Sequence, residues 1–384
     1  ATEIGACFLS LDSEGRRKFF EILATEYDHD DSEVDAAIEA VQGADSTADR
    51  RAAESDLLNA LRPQRDRLFR RFVGLEGGLS FLVDLREELL PMRKETPELR
   101  ALDNDLRVVL ARFFDVGLLR LERLTWESPA LVLEKLIEYE AVHEIQGWDD
   151  LRGRLSDGRR CYSFFHPAMA NDPVIFVEVA FTNGVPDALA PLLDHELDKT
   201  DPFAADTATF YSISNCHYGL SGVSLGDLLI KSVVDELKSE FPNLKNFVTL
   251  SPIPLFSEWV SEHASHVRAL VPSQLPPSES AANDLRTELV RLAAEFITAE
   301  RRESANPRMV KARAVDPVAH FHLSNGAMLD RVLWWANPTQ TGWKRSLGMM
   351  VNYRYEPGKI EDRHDSYAAT GKAAASEEIQ KLLE

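Results

Sequence analysis

The chain has 384 residues, 44% of them apolar and 28% charged, the balance of a globular protein with more than one core. Its formal net charge of −20 opposes binding to nucleic acid or to anionic lipid, so neither is an expected partner. The three cysteines, Cys7, Cys161 and Cys216, form neither a zinc pattern nor a disulfide framework, no stretch has the apolar length of a transmembrane helix, and the ends show neither a secretory signal nor a peroxisomal tripeptide; a cytoplasmic location is expected.

From Arg16 to about Tyr139 the pattern is helical. Leu57, Leu58 and Leu61, then Leu79, Leu82 and Val83, then Leu102, Leu106, Val109 and Leu110 recur at helical spacing. Pro63, Gly77-Gly78, Pro91, Pro97 and Pro129 punctuate them. Residues 1–140 are expected to form a helical bundle whose leucine faces also suit self-association, and no catalytic constellation stands out there.

From Ala141 strands mix with helices, so 141–384 is expected to be a mixed α/β catalytic domain and the whole chain α+β. Val174–Phe181, Thr207–Ser214 and Phe247–Leu250 read as strands, and Leu225–Leu237 as a helix with one apolar side. Val271–Ser280, rich in Pro and Ser, is a loop, and Ala282–Glu303 returns to helix. Val318–Leu323 and Met328–Trp335 read as strands joined by an Asn325-Gly326 hairpin turn, since both positions tolerate positive φ.

Three segments carry residues suited to chemistry. Gly219-Leu-Ser-Gly222-Val-Ser-Leu-Gly226 stands between a strand and a helix, where glycines and a helix N-terminus offer backbone N–H groups to a phosphate. It has neither Walker nor Rossmann spacing, and taken alone a plain loop-to-helix turn is the commoner explanation. Ser251-Pro-Ile-Pro254 follows a strand, where rigid loops build sites, although a lone Ser-Pro is more often a turn. In Asp316-Pro-Val-Ala-His320-Phe-His322 a strand would put His320 and His322 on one face, for a metal, for acid–base work or for structural hydrogen bonds.

Other histidines are weaker. His263 and His266 lie three apart on an expected helix without an acidic partner, His166-Pro167 looks like a turn, and Cys216-His217 are neighbours whose side chains should diverge. Asn352-Tyr353-Arg354-Tyr355 would place two phenols on one strand face, as packing or as the polar edge of a pocket.

Taken in order, Val177–Thr182, Phe210–Ser214, Gly219–Gly226, Ser251-Pro-Ile-Pro254, Pro317–Leu323 with Asn325-Gly-Ala327, and Asn352–Tyr355 resemble the malonyl-CoA decarboxylase family over about Val142 to Tyr355. The resemblance implies a catalytic domain like the GCN5-related acetyltransferases and cleavage of malonyl-CoA to acetyl-CoA and carbon dioxide. It implies that the loop Ser221, Gly222, Val223, Ser224, Leu225, Gly226 and Asp227 holds CoA, and that Ser251 and His322 are catalytic, with His322 the proton donor. His320, Asn352, Tyr353 and Tyr355 are further pocket candidates. Because the thioester is its own electron sink, no cofactor and no metal is expected. Acyl-CoA is the small-molecule partner, and a homo-oligomer, a tetramer, follows from the family. A CoA-dependent acyltransferase and a non-catalytic acyl-CoA-binding protein are the competing readings.

Overall fold

The computed structural model describes residues 1–194, 200–223, 225–302 and 313–384. The chain divides into two compact units. The first comprises Ala1–Arg120 with two returning segments, Phe165–Val174 and Asn215–Leu225. The second comprises Leu121–Phe164, Ile175–Ser214 and Gly226–Glu384.

In the first unit the helices are α1 (Thr2–Ser10), α2 (Ser13–Thr25), α3 (Asp31–Gln42), α4 (Thr47–Ala60), α5 (Gln64–Val73), α6 (Gly78–Leu89) and α7 (Pro97–Phe113). Short polar side chains start several of them: Asp12, Asp30, Ser46 and Thr96 accept hydrogen bonds from first-turn N–H groups. The leucine periodicity explains α6 and α7, where Leu79, Leu82, Val83, Leu102, Leu106 and Leu110 are fully buried with Phe8, Phe20 and Phe69. It does not explain α4 in the same way, because Leu58 is 64% exposed and Leu61, just past its end, 47%.

The second unit is built on a mixed sheet. Its strands are β1 (Arg120–Leu124), β2 (Arg159–Phe165), β3 (Pro173–Thr182), β4 (Thr207–Asn215), β5 (Asn246–Thr249), β6 (Ser251–Pro252), β9 (Met328–Leu333) and β10 (Met350–Tyr355), while β7 (Arg301–Arg302) and β8 (Arg313–Ala314) form a separate ribbon. Its helices are α8 (Ala130–Tyr139), α9 (Trp148–Arg154), α10 (Ala190–Leu193), α11 (Gly226–Glu240), α12 (Phe256–His263), α13 (Ser265–Arg268), α14 (Arg286–Ala299), α15 (Pro317–Ser324), α16 (Gln340–Ser346), α17 (Ile360–Thr370) and α18 (Glu377–Leu383). The strand order is β1-β2-β3-β4-β5-β10-β6, with β9 also paired to β10. β3 is buried from Pro173 to Phe181, which is why it reads as a continuous apolar run rather than an alternating one. β4 and β5 are parallel, so the chain crosses over between them through α11. This is the α+β class expected, a helical N-terminal region followed by a mixed sheet with helices. Among the described residues no helix is long and apolar enough to cross a membrane.

One expected strand is a helix. Val318–Leu323 lies in α15, so His320 and His322 do not share a face: two helical residues are about 200° apart. The start signal was Asp316-Pro317, not the alternation after it. Asp316 accepts from Val318 N (3.0 Å) and Ala319 N (2.9 Å), and Pro317 occupies the first turn, where its missing N–H costs nothing. Asn325-Gly326 accordingly ends a helix and makes no hairpin. The Asn325 N–H donates back to the carbonyls of Phe321 and His322. Gly326 has φ +76°, and a Cβ there would lie 2.1 Å from the Ile360 carbonyl oxygen, so only glycine fits. The expected helix from Ala282 begins as a 3-10 turn and ends at Ala299, and Glu303 lies outside the described residues.

Candidate active site

The site lies in the second unit, where β10 is irregular along both edges. Toward β5 and β6 the ladder is regular at Tyr355↔Phe247, Arg354↔Val248, Val351↔Ser251 and Met350↔Pro252. Between these pairs side chains replace backbone bonds. Tyr353 N donates to Thr249 Oγ1 (3.1 Å), and Asn352 Nδ2 donates to the Thr249 carbonyl (2.8 Å). Leu250 N turns to the Phe210 carbonyl instead. Toward β9 the register slips between Asn352 and Tyr353. Such interruptions re-aim side chains, and here they deliver Ser251.

Ser251 Oγ is 2.9 Å from Thr249 Oγ1 and 3.0 Å from His322 Nε2. The other ring nitrogen of His322, Nδ1, is 2.9 Å from the Tyr355 hydroxyl. Tyr353 stacks on the imidazole at 4.6 Å with an interplanar angle of 25°. Ser251, His322, Tyr353 and Tyr355 are all buried. When Ser251 donates to Thr249, His322 donates through Nε2 to Ser251 and accepts at Nδ1 from Tyr355; the opposite tautomer reverses the chain. Burial pushes the His322 imidazole down to about 3, so the ring is neutral at physiological pH.

Asp316, which sequence reading did not single out, ties the segments of Ser251 and His322 together. Beyond capping the helix that carries His322, its Oδ2 accepts from Leu255 N (3.3 Å), in the loop after Ser251. Burial raises this carboxyl to about 6, against the pull of the three N–H donors. An Asp before a proline was the available signal. Thr249 was also missed; a threonine ending a strand gives no warning that its hydroxyl will stand in for a ladder bond.

The remaining candidates separate. Tyr353 and Tyr355 both reach His322, as two phenols on one strand face should. Asn352 serves as scaffold: its Oδ1 accepts from Arg331 Nε (3.1 Å) and Nη2 (2.9 Å) while its amide holds Thr249. His320 points elsewhere, with Nδ1 3.1 Å from the Tyr367 hydroxyl. His263 and His266 fall on two different short helices, and His263 stacks on Trp259. Among the described residues no group of three or more His, Cys, Asp or Glu could hold a metal ion. Among the described residues none of Cys7, Cys161 and Cys216 forms a disulfide.

The glycine loop belongs to the first unit up to Leu225. Gly222 is exposed with φ +76°, a conformation that side chains other than glycine's adopt with strain. Ser221 Oγ donates to the Tyr218 carbonyl (2.6 Å), so its hydroxyl serves the turn, and Val223 N donates to the Leu220 carbonyl (2.9 Å). Ser224 lies outside the described residues, as does the side chain of Asp227 in the first turn of α11.

Residues 117–384 match the malonyl-CoA decarboxylase C-terminal domain, and residues 27–114 match the malonyl-CoA decarboxylase N-terminal domain. The mitochondrial malonyl-CoA decarboxylase of Rattus norvegicus is 36% identical, over 86% of this chain and 73% of its own length. The crystal structure of malonyl-CoA decarboxylase from Rhodopseudomonas palustris superposes with a TM-score of 0.88 at 38% identity, covering 99% of this chain and 93% of that one. The enzyme from Agrobacterium vitis gives the same TM-score of 0.88 and 38% identity, over 100% and 94%. With both of its domains matched, the chain belongs to the malonyl-CoA decarboxylase family of carboxy-lyases.

Proposed function

We propose that Ser251 and His322 carry the chemistry by which this carboxy-lyase turns malonyl-CoA into acetyl-CoA and carbon dioxide. The observation that supports these roles is the 3.0 Å contact between Ser251 Oγ and His322 Nε2 in a buried setting.

The free site holds a neutral imidazole because burial penalises its charge. A malonyl carboxylate placed beside it supplies a negative charge that favours the imidazolium, so His322 takes up a proton as substrate binds. The Ser251 hydroxyl donates to that carboxylate and turns it out of the thioester plane. The C2–carboxylate bond then breaks, its electron pair moves into the thioester as an enolate, and carbon dioxide leaves. The imidazolium gives its Nε2 proton to C2, which returns the ring to the neutral state. Such a positioned acid is worth about 10²–10⁴-fold. Tyr355 fixes the ring through Nδ1 throughout. The thioester carbonyl accepts the electrons, so the step as drawn calls on no biotin, pyridoxal phosphate or metal.

Within the loop Ser221–Asp227 the CoA pyrophosphate is taken at Gly222 and at the start of α11, since the N–H groups of Ser221, Val223 and Leu225 already donate inside the turn; the exposed, positive-φ Gly222 supports this. Self-association is supported by the exposed Leu58 and Leu61 of the helical unit, and a tetramer is the form the family resemblance implies. Three cysteines outside any disulfide favour a reducing compartment, the cytoplasm. The test is a product balance: malonyl-CoA should give equal carbon dioxide and acetyl-CoA with no free CoA, and His322→Asn should remove this activity. Free CoA appearing with an added amine would make the enzyme an acyltransferase instead.

A further inference from the structure

An enzyme with a net charge of −20 must still attract a substrate that carries several phosphates. The first unit concentrates arginines around the glycine loop. Arg86, fully buried on α6, donates from Nη1 to the Gly219 carbonyl (2.6 Å) and from Nε to Asp103 (2.8 Å). Gly219 packs so closely on α6 that a Cβ there would lie 2.0 Å from the Val83 carbonyl oxygen. The segment leading into the loop is thus seated on the helical unit by a buried guanidinium and a backbone contact. Three residues on, a Cβ built on exposed Gly222 would lie 3.6 Å from Arg107 Cδ, on α7.

The two aspartates of α7 are committed elsewhere. Asp103 pairs with Arg86 (2.8 Å) and Arg93 (3.3 Å), and Asp105 pairs with Arg65 (2.7 Å). Arg107 instead hydrogen-bonds a neutral group, Asn104 Oδ1, from Nη2 (2.9 Å). Its stem runs beside exposed Gly222, and among the described residues no carboxylate pairs with its charge. A planar guanidinium matches phosphate oxygens in shape and charge.

We infer that Arg107 of the helical unit binds a phosphate of acyl-CoA beside Gly222, so that the N-terminal helices supply a substrate-binding residue as well as a scaffold. This rests on Ser221–Asp227 being the CoA loop. It gives the helical half a direct part in substrate affinity, through a residue that touches no reacting atom.

The experiment compares malonyl-CoA with malonyl-pantetheine, which keeps the thioester and lacks every phosphate, as substrates of the full-length enzyme. Circular dichroism first establishes that each variant is folded. Arg107→Ala should raise KM for malonyl-CoA roughly ten-fold at unchanged kcat, leave kcat/KM for malonyl-pantetheine unaltered, and be partly rescued by Arg107→Lys. An unchanged KM for malonyl-CoA, or equal losses on both substrates, would overturn the inference. Gly222→Val separates the two ideas. If it raises KM for malonyl-CoA while Arg107→Ala does not, the loop binds CoA and Arg107 has no part; if neither variant changes KM, the loop assignment falls as well.

Discussion

Nε2 of His322 lies 3.0 Å from Oγ of Ser251, although 71 residues separate them in the chain. Neither residue arrives by a regular element alone. Ser251 sits where the β10 ladder changes from backbone to side-chain bonding, and His322 sits in an eight-residue helix that starts at a buried aspartate cap. Each consequence below follows from one of the groups that holds this pair in place.

Tyr355→Phe removes the hydroxyl at His322 Nδ1 and leaves a buried ring nitrogen without that partner. The ring then loses its fixed tautomer and orientation. Turnover should fall about ten-fold with KM little changed, and stability should fall by roughly 1–3 kcal/mol. Steady-state kinetics together with urea unfolding checks both; unchanged kcat would remove Tyr355 from the mechanism.

His322 titrates in the folded protein at about 3, below the 6.5 of an unperturbed imidazole. The unfolded chain therefore takes up a proton on acidification before the folded one does. The stability associated with the buried neutral ring is present above pH 6.5 and is lost as pH falls from 6.5 toward 3. Between pH 7 and 4.5 the wild type should lose more stability than His322→Asn, by on the order of 2–3 kcal/mol. Buried Asp316, raised to about 6, acts in the opposite sense but is common to both proteins. Parallel stability–pH curves would contradict the depressed value.

Asp316→Ala removes the cap of α15 and the acceptor for Leu255 N together. A cost of about 1–2 kcal/mol is expected from the cap. Because the same carboxylate joins the helix of His322 to the loop after Ser251, kcat should fall as well. Thermal unfolding and kinetics on one preparation check this; a stability loss with unaltered kcat would confine Asp316 to the cap.

Activity should survive dialysis against a chelator and treatment with avidin, since the thioester accepts the electron pair. Loss with EDTA that one specific metal restores would require a different mechanism.

The parts legible in sequence were those set by apolar pattern. The buried run of β3, the strands β4 and β5 and the helix α11 read correctly because their faces are wholly buried or cleanly one-sided, while the parallel pairing of β4 with β5 emerges only in the structure. Ser251 and His322 were named by family resemblance, and nothing in their spacing alone would have paired them. The His-Phe-His segment was misread because alternation over so few residues fits either period, and the Asp-Pro start signal outweighs it. Thr249 and Asp316 were invisible for another reason: each acts through a hydrogen bond to a segment remote in sequence, Tyr353 N and Leu255 N, which no local pattern encodes. The attachment of Asn215–Leu225 to the helical unit, through Arg86 and Gly219, is likewise a long-range fact.

The most direct test is a double-mutant cycle on Ser251 and His322. We measure kcat and KM for malonyl-CoA with wild type, Ser251→Ala, His322→Asn and the double variant, after circular dichroism shows that each is folded. His322→Asn should lower kcat by about 10²-fold or more with little change in KM, and Ser251→Ala should behave alike. The double variant should lose much less than the product of the single losses, because the two groups act as one unit. His320→Asn, whose ring meets Tyr367 instead, should retain most of its turnover. Near wild-type kcat in His322→Asn, or losses at the two positions that simply multiply, would contradict the account.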